Sequence, residues 1–228
     1  MRIYCMSDIH GCLPEFEEAL SMVLEHLEKE DAKLILLGDY VHGGASDRGV
    51  LDMIINLQNK YGKDKVIALM GNHENWILEG ISTIDHLIYN IHDLNENDEK
   101  YYRWFETLPK YHVEGNTIFV HAGINEEAGE MWEQKTDDKT FLLQYPAKTG
   151  KIENLHMKVV AGHVGTAEIS GNPEFHDIYY DSESHYYIYG SVRKSGIIPV
   201  LMVDTENDKY YRVTKNGTWP VLPYGEKK

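Results

Sequence analysis

Short apolar runs that each end in glycine and polar side chains recur in this chain, and they constrain its fold more than any other feature. Such runs bounded by turn residues predict buried β-strands. Helical spacing of apolar residues separates the first three runs, in residues 14–30 and 49–62. The order β-α-β-α-β predicts a parallel sheet with crossover helices. The five runs are RIYCMSD (2–8), KLILLGD (33–39), KVIALMGN (65–72), TIFVHAG (117–123) and MKVVAGH (157–163).

The rest of the chain completes an α/β prediction. Residues 74–107 predict mostly helix, and residues 124–156 have a weak pattern. After residue 163 come short aromatic and β-branched segments, which predict antiparallel sheet. These segments are HDIYYDS, YYIYGS, IPVLMVD and KYYRVTK. Because no Pro/Gly/Ser-rich linker interrupts the 228 residues, we expect a single domain over 1–228, with a short C-terminal extension from about residue 215.

Charge and cysteine content exclude several classes of partner. The formal net charge is −15, so we expect no nucleic-acid partner and no binding to an anionic membrane. No stretch approaches the ~20 apolar residues of a membrane span, and the N-terminus resembles no signal peptide. The two cysteines, Cys5 and Cys12, favour reduced thiols and a cytoplasmic location. The sequence predicts no oligomeric state.

Polar side chains follow all five predicted strands. In a parallel sheet the carboxyl ends of the strands open onto one crevice, so we expect these side chains to converge there. A single polar residue at a strand end is more often a cap or a turn former, but agreement among five strand ends favours a shared site. The converging residues are Asp8, His10, Asp39, Asn72, His121 and His163.

This set of side chains has the chemistry of a metal site. Its donors are oxygen and nitrogen atoms without a thiolate, which suits Mn²⁺, Fe or Zn²⁺ better than Ca²⁺. Six ligands are too many for one catalytic ion with an open position. They fit two ions roughly 3.5–4 Å apart that share a bridging carboxylate. We therefore expect two divalent metal ions, with manganese as the first choice and iron or zinc as alternatives.

Five motifs in this order resemble a known family. DIHG, GDYV, GNHE, HAGI and GH resemble the calcineurin-like metallophosphoesterases, in the branch that contains serine/threonine protein phosphatases and symmetrical diadenosine tetraphosphate hydrolases. The resemblance covers roughly residues 1–205. It implies an α/β fold with two mixed β-sheets sandwiched between helices.

The resemblance also implies a role for each residue. His73 would be the general acid that protonates the leaving oxygen. A hydroxide bridging the metals would attack phosphorus directly, without a phospho-enzyme. The first metal would be bound by Asp8 and His10 and the second by Asn72, His121 and His163, with Asp39 bridging both.

The sequence departs from the family directly after GDYV. Relatives continue as GDYVDRG, where the Asp orients the acid histidine and the Arg binds phosphate; here the stretch is GDYVHGGASDRG. An alignment with an insertion restores Asp47-Arg48-Gly49 as the triplet. An ungapped alignment places His42 at the Asp and Gly43 at the Arg. The spacing to the VLD segment that follows favours the ungapped alignment, so His42 is a candidate to support His73, with Asp47 as the alternative.

Phosphate binding is the second departure. Arg48 is a candidate substrate-binding residue only if its loop folds back towards the metals. Relatives often carry another phosphate-binding arginine between HAG and GH, but no arginine lies between Arg103 and Arg193. We therefore expect that second clamp to be absent, with Lys135, Lys148 or Lys151 as possible substitutes.

Three functions remain open from the sequence. The first is a dimetal phosphoesterase, a protein-phosphatase-like hydrolase of phosphomonoesters. The second is a hydrolase of dinucleoside polyphosphates or other nucleotides, with aromatic residues of segment 124–156 stacking a base. The third is a metal-binding module with little catalysis, against which the retention of His73 argues. The expected partner is thus a phosphorylated protein or a nucleotide.

Two neighbours of the site have simpler expected roles: Glu74 stabilises a helix N-terminus, and Cys12 is an inert thiol rather than a redox sensor.

Overall fold

The computed structural model describes residues 1–84 and 98–226. In this part of the chain the strands form two mixed sheets, one with the order β11-β10-β9-β1-β2-β3 and one with the order β4-β5-β6-β8-β7. The strands are β1 (Arg2–Met6), β2 (Ala32–Leu36), β3 (Val66–Ala68), β4 (Tyr111–Glu114), β5 (Thr117–Val120), β6 (Lys158–Ala161), β7 (Tyr179–Tyr180), β8 (His185–Tyr187), β9 (Val200–Asp204), β10 (Lys209–Thr214) and β11 (Gly217–Pro220).

Helices connect these strands, and none in the described part of the chain has the length and apolar character to span a bilayer. A 3-10 segment, Glu126–Met131, precedes α6. The α-helices are α1 (Leu13–Ser21), α2 (Leu24–Lys29), α3 (Asp47–Tyr61), α4 (Asn72–Leu78), α5 (Glu99–Phe105), α6 (Trp132–Lys135), α7 (Asp138–Leu143), α8 (Thr166–Ile169) and α9 (Val192–Ser195).

Alternation along the strands explains how the layers pack. In β1, Ile3 and Cys5 face the core between the two sheets, whereas Tyr4 and Met6 belong to the core that includes the helices. Successive strand residues point to opposite faces, so a strand buried on both faces must be apolar throughout. The apolar runs of the sequence are therefore the central strands, and the predicted sandwich of two mixed sheets between helices is confirmed.

Parallel pairing positions the strand ends that matter for function. Strand β1 pairs in parallel with β2, and β2 with β3. In the second sheet β5 pairs in parallel with β6, and β6 with β8. The prediction of antiparallel sheet after residue 163 holds for β7, β9 and β10 and for the pairing of β8 with β7, but it is wrong for the pairing of β8 with β6, which is parallel. Short aromatic strands do not reveal their direction, because side chains alternate between the two faces in the same way in parallel and in antiparallel strands.

Three further boundaries differ from the predictions. The helix expected over 14–30 is divided between α1 and α2, because the N–H groups of Met22 and Val23 bond three residues back, to Ala19 and Leu20. The extension from about residue 215 contributes the exposed edge strand β11. The predicted helical stretch 74–107 contains parts of α4 and α5, while residues 85–97 of it lie outside the described residues.

Candidate dimetal centre

The predicted metal-binding side chains lie together at the carboxyl ends of strands from both sheets. Asp8 and His10 follow β1, Asp39 follows β2, and Asn72 begins α4 after β3. His121 and His163 follow β5 and β6 of the second sheet. The two sheets thus meet at one polar site. The structure brings these residues together as predicted, whereas their roles as ligands stay a prediction.

Unusual backbone conformations aim these side chains. Asp8, His10, Asp39 and His163 all have positive φ angles, between 49° and 60°. Left-handed conformations cost non-glycine residues free energy and cluster where function requires a fixed side-chain direction. Each allows the chain to turn sharply as the strand ends, so that the polar side chain points across the strand ends.

Backbone hydrogen bonds hold these turns against one another. The N–H of Asp8 donates to the carbonyl of Gly38 at 3.1 Å, and that of His10 donates to the carbonyl of Asp39 at 2.9 Å. In the second sheet the N–H of His163 donates to the Asp8 carboxylate at 3.0 Å. Gly162 permits this approach, because a Cβ there would lie 2.2 Å from an Asp8 carboxylate oxygen. These contacts therefore hold the turns after β1, β2 and β6 in fixed positions relative to one another.

Two overlapping clusters share the Asp39 carboxylate. One contains ligand atoms of His10, Asp39 and His73, and the other those of Asp39, His121 and His163. Within each cluster the atoms lie no more than 4.8 Å apart. One carboxylate between two histidine-containing groups is the arrangement expected of a bridging ligand.

The two remaining predicted ligands adjoin these clusters. An Asp8 carboxylate oxygen lies 3.9 Å from His10 Nε2, the same distance as the nearest Asp39 oxygen. The Asn72 side-chain oxygen lies 2.9 Å from His121 Nε2. The geometry therefore places Asp8 beside the first cluster and Asn72 beside the second.

The hydrogen bonds of two histidines determine which ring nitrogen is free. His10 Nδ1 lies 3.0 Å from the Val41 carbonyl, and His121 Nδ1 lies 2.9 Å from the Leu37 carbonyl. Because a carbonyl only accepts, each Nδ1 carries the proton and Nε2 of the neutral ring keeps its lone pair, which in His121 faces the Asn72 side-chain oxygen. Metal-ligating histidines usually have this arrangement, in which the second nitrogen donates to a backbone carbonyl or carboxylate.

The electrostatics of the site also suit cations. Burial raises the pKa of both Asp8 and Asp39, and the charge of Asp39 adds to the rise at Asp8. In the described part of the chain no lysine or arginine forms an ion pair with either carboxylate. Burial lowers the pKa of His10 and of His121 to about 4. Neutral imidazoles beside uncompensated buried carboxylates fit divalent cations, which supply the missing charge and accept the lone pairs.

Glu74 has a larger role than the helix cap expected from the sequence. Its fully buried carboxylate accepts the N–H of Gly71, the N-cap of α4, at 3.0 Å, which is the bond that an N3 glutamate makes in a capping box. It also accepts the N–H groups of Asp39 at 2.9 Å and Tyr40 at 2.8 Å. Glu74 thus ties the loop that carries Asp39 to the helix that carries Asn72 and His73.

His42 contacts His73, in agreement with the ungapped alignment. Their Nδ1 atoms lie 2.7 Å apart. His42 Nε2 faces the Thr83 carbonyl, which only accepts, so the His42 proton lies on Nε2 and its Nδ1 has a lone pair. His73 must then donate from its own Nδ1. This leaves His73 Nε2, 3.8 Å from an Asp39 oxygen, facing the clusters.

The Arg48 guanidinium is held in an ion pair with a carboxylate. It binds the Asp98 carboxylate through two hydrogen bonds, of 2.8 Å from Nε and 2.7 Å from a terminal nitrogen. The Asp47 carboxylate packs next to Gly11. Contact between Arg48 and phosphate stays a prediction, and it requires that this ion pair be shared or broken.

Strand β8 adds two side chains that the sequence analysis missed. The Tyr189 ring lies 5.6 Å from the His10 ring, centre to centre. Arg193, on α9, reaches Gly43 of the loop after β2. Both follow β8, whose parallel direction brings its carboxyl end to the site. If the YYIYGS segment had been predicted to pair in parallel, Tyr189 and Arg193 would have been placed near the ends of the other parallel strands.

A cleft of about 260 Å³ lies beside the second cluster. His163 and Tyr189 line it, together with Tyr145, Glu168 and Lys194. The Tyr145 side chain is 68% exposed, and its hydroxyl donates to Glu168 at 2.7 Å. A larger cleft of about 510 Å³, between α1 and β10, contains none of the predicted ligands. The smaller cleft is therefore the better candidate for binding part of a substrate.

Comparison with protein families gives a match over most of the chain. The model for the calcineurin-like phosphoesterases matches residues 1–192. Among curated proteins, the symmetrical bis(5'-nucleosyl)-tetraphosphatase of Nitrosospira multiformis is 33% identical over 129 residues, 54% of this chain and 44% of that protein. The corresponding protein of Aromatoleum aromaticum is 30% identical over 131 residues, 54% of this chain and 45% of that protein. The matched part spans less than half the length of these relatives.

Solved structures show the same fold. The cold-active protein-tyrosine phosphatase of a psychrophilic Shewanella has a TM-score of 0.68 and 16% identity, covering 97% of this chain and 80% of that chain. A putative diadenosine tetraphosphatase has a TM-score of 0.59 and 17% identity, covering 93% and 92%. At these identities the likeness concerns the fold alone.

Proposed function

This chain belongs to the calcineurin-like phosphoesterase family, and from that premise we propose that it is a metal-dependent hydrolase of dinucleoside tetraphosphates. The observation that carries the proposal is the pair of clusters that share Asp39. An oxygen and nitrogen donor set of this size suits two divalent cations, for which manganese is our first choice. Asp8 and His10 would hold one, Asn72, His121 and His163 the other, and Asp39 both.

Two divalent cations in this site would polarise the phosphoryl oxygens and lower the pKa of a bound water molecule. The protein supplies the proton for the leaving group. His73 Nε2 faces the clusters, and His42 accepts the Nδ1–H of His73 and fixes the orientation of its ring. When His73 is protonated, Nε2–H can be given to the leaving oxygen.

The reaction proposed is symmetrical cleavage of the tetraphosphate chain. The oxygen of water forms a bond to one of the two central phosphorus atoms, and the central P–O bond breaks. The proton from His73 goes to the bridging oxygen, which leaves with the second nucleoside diphosphate. The products are two nucleoside diphosphates.

Two observations favour this substrate over the phosphoprotein expected first from the sequence. Five of the six curated relatives are named symmetrical bis(5'-nucleosyl)-tetraphosphatases. The cleft beside His163 also combines the exposed Tyr145 ring with Lys194. An aromatic ring can stack a base, and a lysine can bind phosphate.

A direct comparison of substrates tests the proposal. The chain is freed of metal with a chelator, reloaded with Mn²⁺, and assayed with diadenosine tetraphosphate and with a phosphoserine peptide. We expect Mn²⁺-dependent release of ADP with the higher kcat/KM. Faster turnover of the peptide would favour a protein phosphatase. Turnover of neither substrate, with two metals bound, would favour a metal-binding module.

We also propose that the protein is located in the cytoplasm. Both cysteines are free thiols in the structure, which agrees with a reducing compartment.

A further inference from the structure

Arg193 differs from the other arginines of this acidic chain. The chain has 37 acidic and 22 basic residues, so a carboxylate partner is usually within reach. Four of the five arginines form an ion pair: Arg2 with Glu30, Arg48 with Asp98, Arg103 with Glu99, and Arg212 with Asp177. Within residues 1–84 and 98–226, Arg193 has neither an ion pair nor a hydrogen bond from its side chain.

The position of Arg193 follows from the direction of β8. Tyr189 comes two residues after this strand, and Arg193 comes four residues later, on α9. Burial lowers the pKa of His10, and the charge of Arg193 lowers it further. Burial raises the pKa of Tyr189, and the charge of Arg193 opposes that rise. The guanidinium therefore lies within electrostatic reach of His10, a member of the first cluster.

Gly43 provides the space for this side chain. A Cβ at position 43 would lie 2.5 Å from Arg193 Cδ and 2.9 Å from its Nε. Gly43 follows His42, which contacts His73. The aliphatic part of Arg193 thus lies over the loop that supports the proposed acid, and only glycine at position 43 leaves room for it there.

We infer that Arg193 binds the phosphoryl oxygens of the substrate beside the first metal position. An unpaired guanidinium at the mouth of an anion-binding site has donors free for a bidentate contact. This inference rests on the proposed function, since it assumes that a phosphoryl group binds between the clusters. It differs from the expectation that the phosphate clamps are absent, because here the arginine comes from α9, which follows β8, rather than from the loop after β2.

The test measures binding of inorganic phosphate to the Mn²⁺-loaded full chain by calorimetry, which does not require turnover. We expect Arg193→Gln to weaken phosphate binding about 10- to 100-fold, the range for loss of a charged hydrogen bond, and Arg193→Lys to recover part of it. Gly43→Ala should also weaken it by displacing the arginine. Arg2→Gln, at the opposite end of β1, should leave it unchanged.

Kinetics separate this inference from the proposed function. If the wild type hydrolyses diadenosine tetraphosphate, Arg193→Gln should raise KM more than it lowers kcat, with an unchanged metal content. Phosphate binding by Arg193→Gln within twofold of the wild type, with two metals bound, would overturn the inference even if the enzyme is active. Weakened phosphate binding in a chain that hydrolyses neither substrate would support the inference and contradict the proposed function.

Discussion

The Nδ1 atoms of His42 and His73 lie 2.7 Å apart, so a histidine occupies the position from which the proposed acid, His73, is oriented. A neutral imidazole accepts the His73 proton but supplies no negative charge. Burial lowers the pKa of His73, and the neighbouring histidines lower it further. The His42 contact therefore fixes the direction of the His73 ring without favouring its protonated form.

Replacing His42 with Asp should make His73 a better acid at higher pH. A carboxylate beside the ring stabilises the imidazolium, and an opposite charge at this distance shifts a pKa by about 1–3 units. We expect the alkaline limb of the kcat/KM profile for p-nitrophenyl phosphate to move up by about one pH unit or more. His42→Gln, which keeps an acceptor without a charge, is the control. An alkaline limb that does not move in His42→Asp would argue against His73 as the acid.

Removal of the Glu74 carboxylate should destabilise the fold and weaken metal binding together. Glu74→Ala leaves three buried N–H groups without their acceptor, at a cost of about 3 kcal/mol or more, and frees the Asp39 loop. Loss of such a supporting contact typically lowers metal affinity 10- to 100-fold, as an order of magnitude. Urea unfolding and Mn²⁺ titration measure the two effects. Glu79→Ala, on the exposed end of α4, should change neither, and an unaltered Mn²⁺ affinity in Glu74→Ala would contradict the role.

Tyr145 should matter for a nucleotide substrate and not for a small one. Tyr145→Ala removes the exposed ring of the cleft beside His163. Because stacking of one base is worth about 1–3 kcal/mol, KM for diadenosine tetraphosphate should rise roughly 5- to 100-fold. KM for p-nitrophenyl phosphate should stay constant. Tyr224→Ala, in a separate cleft, serves as the control. An equal change for both substrates would remove the support for a base site here.

The stability of the fold should fall with rising pH through His185. Burial alone would lower the pKa of His185, but hydrogen bonds to Asp181 at 2.8 Å and Glu126 at 3.1 Å outweigh it and raise the pKa to about 9. A pKa above the unfolded value of 6.5 means that this stabilisation is complete below pH 6.5. It is lost as the pH rises through about 9.

Urea unfolding of the wild type and of His185→Gln at pH 6 and at pH 9.5 measures this contribution. The difference in free energy of unfolding between the two proteins should be large at pH 6 and smaller at pH 9.5. The exposed His156, replaced by Gln, provides the control. A difference that grows with pH would contradict the ion pair.

The sequence predicts the convergence of the six candidate ligands because the information for it is local. A buried apolar run followed by Asp8 or Asp39 marks both the strand and the side chain at its end. The direction of β8 depends on pairing with β6, more than twenty residues away, and no local pattern records it. Arg193 and Tyr189 were missed for that reason. The three backbone bonds of Glu74 were missed because their N–H donors, which come from different loops, meet the carboxylate only in the folded chain.

The central claim is that the clusters sharing Asp39 bind two metals and hydrolyse a dinucleoside tetraphosphate. The most direct measurement is the metal content of the wild type and of Asp39→Asn, together with release of ADP from diadenosine tetraphosphate in Mn²⁺. Asp31→Asn, at the amino end of β2, is the matched control. We predict two ions per chain and Mn²⁺-dependent ADP release for the wild type and Asp31→Asn, with both reduced or lost in Asp39→Asn. Equal metal content and equal ADP release by Asp39→Asn, or no ADP release by a wild type that binds two ions, would contradict the account.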